Sequence, residues 1–290
     1  MCCFLFREEN YQRQTWSRIE LVAYQIILKK TFSQTCQLRK QLEQVFLSSN
    51  WRKKWSTQPD LVFDSRCVSS ATSRNPSVIK SKFLRIIDHV LLLHSGPINI
   101  FEVSGSCYDS NITIRTKSLA DVDRWIHHLA GRSIKEFVLT IPVEQYYKIP
   151  WCLFSYQSLH NLKLKWCWVE PPMMFEGFRN LKSLALYDVL MTQDSFENLI
   201  SGCPQLEELM LSKFQGLTQL NIQAPNLKLC HITNDKFEGI SFNNTLQLAE
   251  VYLELSLYLN SESNRSNWFK FFDHLPHIEC VMTVNYSLKV

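Results

Sequence analysis

The chain has 290 residues, 46% of them hydrophobic and only seven of them glycine, enough to bury a sizeable core in one or two domains and too apolar for a disordered chain. A formal net charge of +4, with basic residues scattered among acids outside Trp51-Arg52-Lys53-Lys54-Trp55, argues against a nucleic-acid groove, and no apolar run approaches the ~20 residues of a membrane-spanning helix. Ten cysteines form no Cys-x-x-Cys pair, and Met1 to Phe6 is too short an apolar run for a signal peptide before Arg7, Glu8 and Glu9; this predicts reduced thiols, a cytoplasmic or nuclear protein, and no metal or cofactor.

Residues 1–46 form a poorly defined segment: Ile19 to Leu28 is apolar, and Leu38, Leu42 and Val45 have helical spacing, but neither stretch has a clear cap. In residues 47–64, Trp51 and Trp55 share one helical face, a turn follows at Pro59, and Leu61 to Phe63 reads as a short strand. Residues 65–77, rich in Ser, Arg and Asn, read as a linker. Val78 to Leu93 is expected to be a helix with Phe83, Ile86, Ile87, Val90 and Leu91 on one side, stopped by Ser95-Gly96-Pro97 before a strand from Ile98 to Ser104. A second helix is capped by Ser118, with Asp121 in the capping-box position and Val122, Trp125, Ile126 and Leu129 inward; Gly131 ends it and Ile134 to Ile141 returns as strand.

The next stretch organises the chain. Leu-x-x-Leu-x-Leu occurs at Leu159, Leu162, Leu164, at Leu181, Leu184, Leu186 and at Leu206, Leu209, Leu211, with starts 22 and 25 residues apart, inside the leucine-rich-repeat range of roughly 20 to 29. Two leucines one residue apart point to the same side of a strand, and the first enters the same core from the preceding turn. One such coil cannot bury this ledge alone, so successive coils must stack. Ile98, Phe101, Val103 and Ile134, Phe137, Leu139 extend the ladder upstream; Leu217, Leu220, Ile222, then Leu227, Cys230, Ile232, then Leu248, Val251, Leu253 extend it downstream. On either side of the coil that starts at Leu217 the spacing is too short to hold a helix, so the strands there are expected to turn tightly through Gly216 and Ala224-Pro225. Thr192 or Asp194 is expected to cap a helix carrying Phe196, Leu199 and Ile200, and Trp268, Phe269, Phe272 and Leu275 form a last helical stripe in residues 266–275.

The predicted fold is α/β: a leucine-rich-repeat solenoid over residues 78–290, with a parallel sheet on the concave face and short helices and turns on the convex face. No nucleophile elbow, phosphate-cradling glycine loop or His-Glu-x-x-His occurs, which predicts a non-catalytic binding protein. Residues flanking the inward leucines must point onto the concave sheet. The best candidates for partner contact there are Lys163, Lys165, Tyr187, Met210, Ser212, His231, Tyr252 and Glu254; the same rule applied to the short coil adds Asn221 and Gln223. Trp166 and Trp168 fall on the rim or in the next turn.

Leu47-Ser48-Ser49-Asn50-Trp51-Arg52-Lys53-Lys54-Trp55, followed by Pro59-Asp60-Leu61-Val62-Phe63-Asp64, resembles the end of the F-box in plant F-box/leucine-rich-repeat proteins of the FBD-associated branch. The runs Gly202-Cys203-Pro204-Gln205-Leu206-Glu207-Glu208-Leu209 and Ala224-Pro225-Asn226-Leu227-Lys228 are similar to that family as well. The resemblance implies a substrate-recognition subunit of SCF-type ubiquitin ligases, with Leu47, Trp51 and Trp55 packing a short helical F-box remnant on the side of a Skp-type adaptor. It also implies an unknown protein target on the repeats; the charge scatter and short apolar runs noted above leave no nucleic-acid or membrane partner expected. The chain departs from the family in having no Leu-Pro pair before residue 275, where an F-box of this kind begins with one. The family also continues beyond Val290 into further repeats. Both ends therefore read as shortened, which keeps open a free-standing repeat module that binds targets without an adaptor, or an unstable fragment.

Overall fold

The computed structural model describes residues 56–64, 67, 75–104, 119–140, 142–234, 239–255 and 280–284. Leu47, Trp51 and Trp55, the segment 1–46 and the helix expected at 266–275 lie outside the described residues.

Strands β1 (Asp60–Phe63), β2 (Ile100–Ser104), β3 (Glu136–Thr140), β5 (Asn161–Lys165), β7 (Ser183–Leu190), β8 (Glu208–Gln215), β10 (Leu229–Asn234), β12 (Glu250–Leu255) and β13 (Cys280–Val284) lie side by side in that order, every neighbour parallel. Two short strands, β4 (Tyr147–Lys148) and β6 (Cys167–Trp168), extend the sheet where β7 runs past β5. The strand β1, at the edge of the sheet among the described residues, belongs to the stretch read as preceding the repeats.

The register follows from the leucine pattern. Leu61, Phe101, Phe137, Leu162, Leu184, Leu209, Cys230 and Val251 stand in one cross-strand row. Two residues on, Phe63, Val103, Leu139, Leu164, Leu186, Leu211, Ile232 and Leu253 form a second. All sixteen are buried. A slip of one residue in any strand would turn its whole apolar set outward, so the hydrophobic effect pins the pairing at every step. Phe63, Phe101, Phe137 and Tyr156 make a continuous ring-to-ring run beneath the first coils, with centroids 6.0, 5.7 and 6.1 Å apart.

The returning segments cover that side. Helix α1 (Pro76–Leu93) begins two residues before its expected start because the Asn75 side chain accepts from the Ser77 N–H at 3.0 Å and Pro76 occupies the first turn, where a missing N–H costs nothing. Its far end is fixed by backbone bonds from Ser95 and Gly96 to the Ser56 carbonyl, and by the buried His94 ring, whose Nε2 lies 2.9 Å from the Gln58 carbonyl oxygen. Helix α2 (Leu119–Leu129) turns Val122, Trp125, Ile126 and Leu129 inward as expected, and Gly131 ends it at φ +79°. The Trp125 indole donates to Asp88 at 2.7 Å, and Arg124 pairs with the same carboxylate, tying α2 to α1. Tyr156 donates to the Ile126 carbonyl, fastening the 3₁₀ turn at Trp151–Ser155 against α2. Helix α3 (Gln193–Ser201) is capped by Thr192, of the two caps the sequence offered.

One strand departs from expectation. Strand β9 (Gln219–Gln223) is not in the main sheet but pairs with β11 (Gly239–Asn243) in a separate two-stranded parallel sheet beside α3. Only Gly216 to Thr218 separate β8 from β9, whereas a parallel neighbour needs a crossover of about a dozen residues. The chain therefore turns at Gly216, φ +88°, and uses β9 on its way back; β10 then resumes the main sheet. Asn221 and Gln223 are thereby removed from the expected partner face, and Asn221 donates instead to Glu197 at 2.7 Å.

Candidate protein-binding face

With alternate side chains committed to the core and covered by the helices, the others stand on the open side of the same sheet. Register aligns them in rows. One row runs Glu102, Val138, Lys163, Ala185, Met210, His231, Tyr252; the next contains Lys165, Tyr187, Ser212, Thr233 and the Glu254 position. Lys163, Lys165, Tyr187, Met210, Ser212, His231 and Tyr252 are thus brought onto one surface.

At the centre, Ala185 leaves a notch between larger neighbours. The Tyr187 hydroxyl reaches diagonally to the Met210 sulfur at 3.4 Å, and the Lys163 ammonium lies 5.3 Å from the Tyr187 ring centroid. Tyr187 and Met210 reach across the notch, and Ala185 is only 5% exposed although it sits on the open side. This partial burial raises the Tyr187 phenol above its ordinary pKa and keeps it a hydrogen-bond donor. Further along, the His231 and Tyr252 rings lie beside each other, tilted by 49° with centroids 5.9 Å apart, and the Tyr252 hydroxyl donates to Glu250 at 2.9 Å.

Beyond this surface the strands kink in concert. Trp166, Asp188 and Lys213 hold equivalent positions in three successive coils, and all have left-handed φ values of 56°, 46° and 53°. Each acts as a one-residue bulge: outward Lys165, Tyr187 and Ser212 precede it, and inward Cys167, Val189 and Phe214 follow it. The kink lets β4 and β6 continue the ladder, and it sets Trp166 and Trp168 on the rim, half-buried, under lysines. Lys165 Nζ lies 4.0 Å from the Trp166 ring and 3.8 Å from Asp188; Lys148 Nζ lies 4.4 Å from the Trp168 ring. Leucine spacing carries no sign of this bulge column. The repeated Leu-x-Leu-x-x-apolar pattern, which requires an extra residue before the next inward side chain, is the signal that would have found it.

At the opposite ends of the strands Glu207 bridges Lys182 at 2.9 Å and Lys228 at 2.8 Å across three coils. Hydrogen bonds from the two ammonium groups hold the Glu207 carboxyl at about 2, below its ordinary 4.5. A depressed carboxylate contributes stability above the unfolded pKa and loses it as pH falls through the folded one. Replacing Glu207 by Gln is expected to flatten the acid-induced loss of stability between pH 4.5 and about 2, as read by denaturant midpoints of the two proteins at stepped pH.

Elsewhere the chemistry is quiet. Burial pushes the Cys203 thiol up to about 12 and raises those of Cys152, Cys167 and Cys230, so these sulfurs stay protonated. Among the described residues no group of three His, Cys, Asp or Glu side chains is placed to hold a metal ion, and no helix is long and apolar enough to cross a membrane.

Residues 122–269 match the family described as FBD-associated F-box protein At5g56370, LRR repeats. The chain is similar to the F-box/FBD/LRR-repeat protein At1g13570 of Arabidopsis thaliana, with 39% identity over 84% of this chain and 56% of that protein. It is also similar to two other Arabidopsis thaliana proteins: the F-box/FBD/LRR-repeat protein At5g56420, 29% identical over 67% of this chain and 44% of the relative, and the F-box protein At3g03040, 30% identical over 72% and 45%. The chain spans about half the length of these relatives. No solved structure matches it.

Proposed function

Because the chain belongs to the FBD-associated F-box and leucine-rich-repeat family of plants, we propose that it is a non-catalytic substrate-recognition protein of SCF-type ubiquitin ligases, acting in the cytoplasm or nucleus. In this reading the stacked coils form a solenoid whose concave wall is the open side of the sheet. The observation that carries it is the row of large side chains running from Lys163 under Tyr187 to Met210, His231 and Tyr252. Rigid aromatic and adaptable sulfur-containing groups gathered on one surface are the composition of a protein contact, and a repeat sheet supplies an extended platform for it. Bond chemistry is left to other subunits.

Docking to the ligase falls to the stretch from Leu47 to Trp55, with Trp51 and Trp55 as its anchors. A pull-down of purified Skp-type adaptor tests it. Saturable binding in the micromolar range or tighter, lost when Trp51 and Trp55 are both replaced by Ala, is the expected result; absence of binding by a folded chain sinks the ligase reading. One observation favours a second reading, a module that binds targets without an adaptor: residues 1–46 contain no Leu-Pro pair.

A further inference from the structure

The open side of the sheet is electrically divided. From β5 to β12, Lys163 and Lys165 are the only lysines or arginines at the regular outward positions before the bulge among the described residues, and both stand on β5; the exposed Lys213 sits beyond them, at the bulge of β8. Glu208 and Glu250 stand outward on β8 and β12. Tyr187, Met210 and His231 lie between the two charged ends. Lys165 already faces Asp188 at 3.8 Å, whereas no carboxylate is within ion-pair range of Lys163 among the described residues. On the other flank of Lys163, Glu136 and Glu102 occupy β3 and β2, so the positive spot is narrow and a run of acids laid across it would be repelled.

We propose, on the reading that this face holds the target, that it recognises a target segment with one anionic side chain, an apolar or aromatic centre, and a cationic side chain at its other end. The anion seats on Lys163 beside Tyr187; the apolar centre covers Met210 and His231; the cation meets Glu250. Four strand spacings of ~4.8 Å separate β5 from β12, about 19 Å, a span that roughly six extended residues cross. The anionic group is a carboxylate or a phosphoryl oxygen, both of which an ammonium binds as a point charge.

The test is a selection of a displayed random-peptide library on the full chain, counter-screened on Lys163→Glu and Met210→Arg variants that retain the wild-type melting temperature. The expected pool carries Asp or Glu and Lys or Arg on opposite sides of an apolar centre. Its best member loses at least tenfold in affinity on Lys163→Glu and regains it when the peptide's own acid is changed to Lys. Synthetic copies with Glu, phosphoserine or serine at that position identify the anion. Binders lost on Met210→Arg but indifferent to Lys163→Glu overturn the charge polarity while leaving the face intact as a binding surface. Binders indifferent to both variants overturn the face itself.

Discussion

Substituting alanine for Gly177 is expected to destabilise the fold by about 2–5 kcal/mol. The residue sits at φ +91°, and a methyl group there would come within 2.3 Å of the Gly202 carbonyl oxygen and 2.9 Å of the Gly202 Cα. Gly202 ends α3, and a methyl on it would in turn meet Gly177 Cα at 2.9 Å. Two backbones therefore touch where the connection after β6 passes the end of α3. A left-handed conformation costs a residue with a side chain roughly 1–2 kcal/mol, and overpacking against an unyielding backbone adds about 1–3 kcal/mol. Against a total stability of about 5–15 kcal/mol this is a large fraction. Thermal unfolding should show a fall of roughly 2–4 °C per kcal/mol for a domain of this size. Two other glycines calibrate the effect. Gly131 has φ +79° but open space around its missing side chain, and Gly239 has neither constraint; alanine should cost about 1 kcal/mol at the first and nearly nothing at the second. Equal effects at all three positions would contradict the close approach.

The second large effect is on binding. Met210 stands at the middle of the outward row, held by the Tyr187 hydroxyl and flanked by His231. Changing Met210 to Arg, or truncating Tyr187 to Ala, should weaken capture of a target by about 30-fold or more, the ~2 kcal/mol of a central interface residue. Melting temperature should move little, because neither side chain belongs to the two buried rows. Ser212→Ala, at the edge of the same face, should change affinity less than threefold, as polar rim contacts do. Measured Kd values for the three variants against one target would check the order.

The core was the most legible part of the fold. Apolar residues two apart at a repeating interval leave one solution, and both buried rows follow from it. The outward positions of Lys163, Tyr187, Met210, His231 and Tyr252 came with them, since a strand has only two sides. Strand β9 was misread because Leu217, Leu220 and Ile222 carry the same pattern as a main-sheet strand; loop length, not leucine spacing, decides which sheet receives it. The start of α1 was missed because Asn75 and Pro76 look like linker residues in isolation and act as cap and first turn only together. The bulges at Trp166, Asp188 and Lys213 escape a reading of leucine spacing because none is glycine; only the displaced apolar residue that follows each of them, Cys167, Val189 and Phe214, marks the extra position. The diagonal reach of Lys163 and Met210 to Tyr187 depends on Ala185 being small in one particular register, which is a property of paired strands and not of any single one.

The central claim is that a target protein lies on the open side of the sheet, and oxidative footprinting of the chain bound to a captured target, compared with the chain alone, tests it most directly. Methionine thioethers supply both probe and control, since Met210 lies on the face while Met173 and Met174 are fully exposed on the connection between β6 and β7. Protection of Met210, Tyr187 and Tyr252 with unchanged oxidation of Met173 and Met174 is the predicted result. Protection of Met173 and Met174 with Met210 as reactive as before would contradict the account.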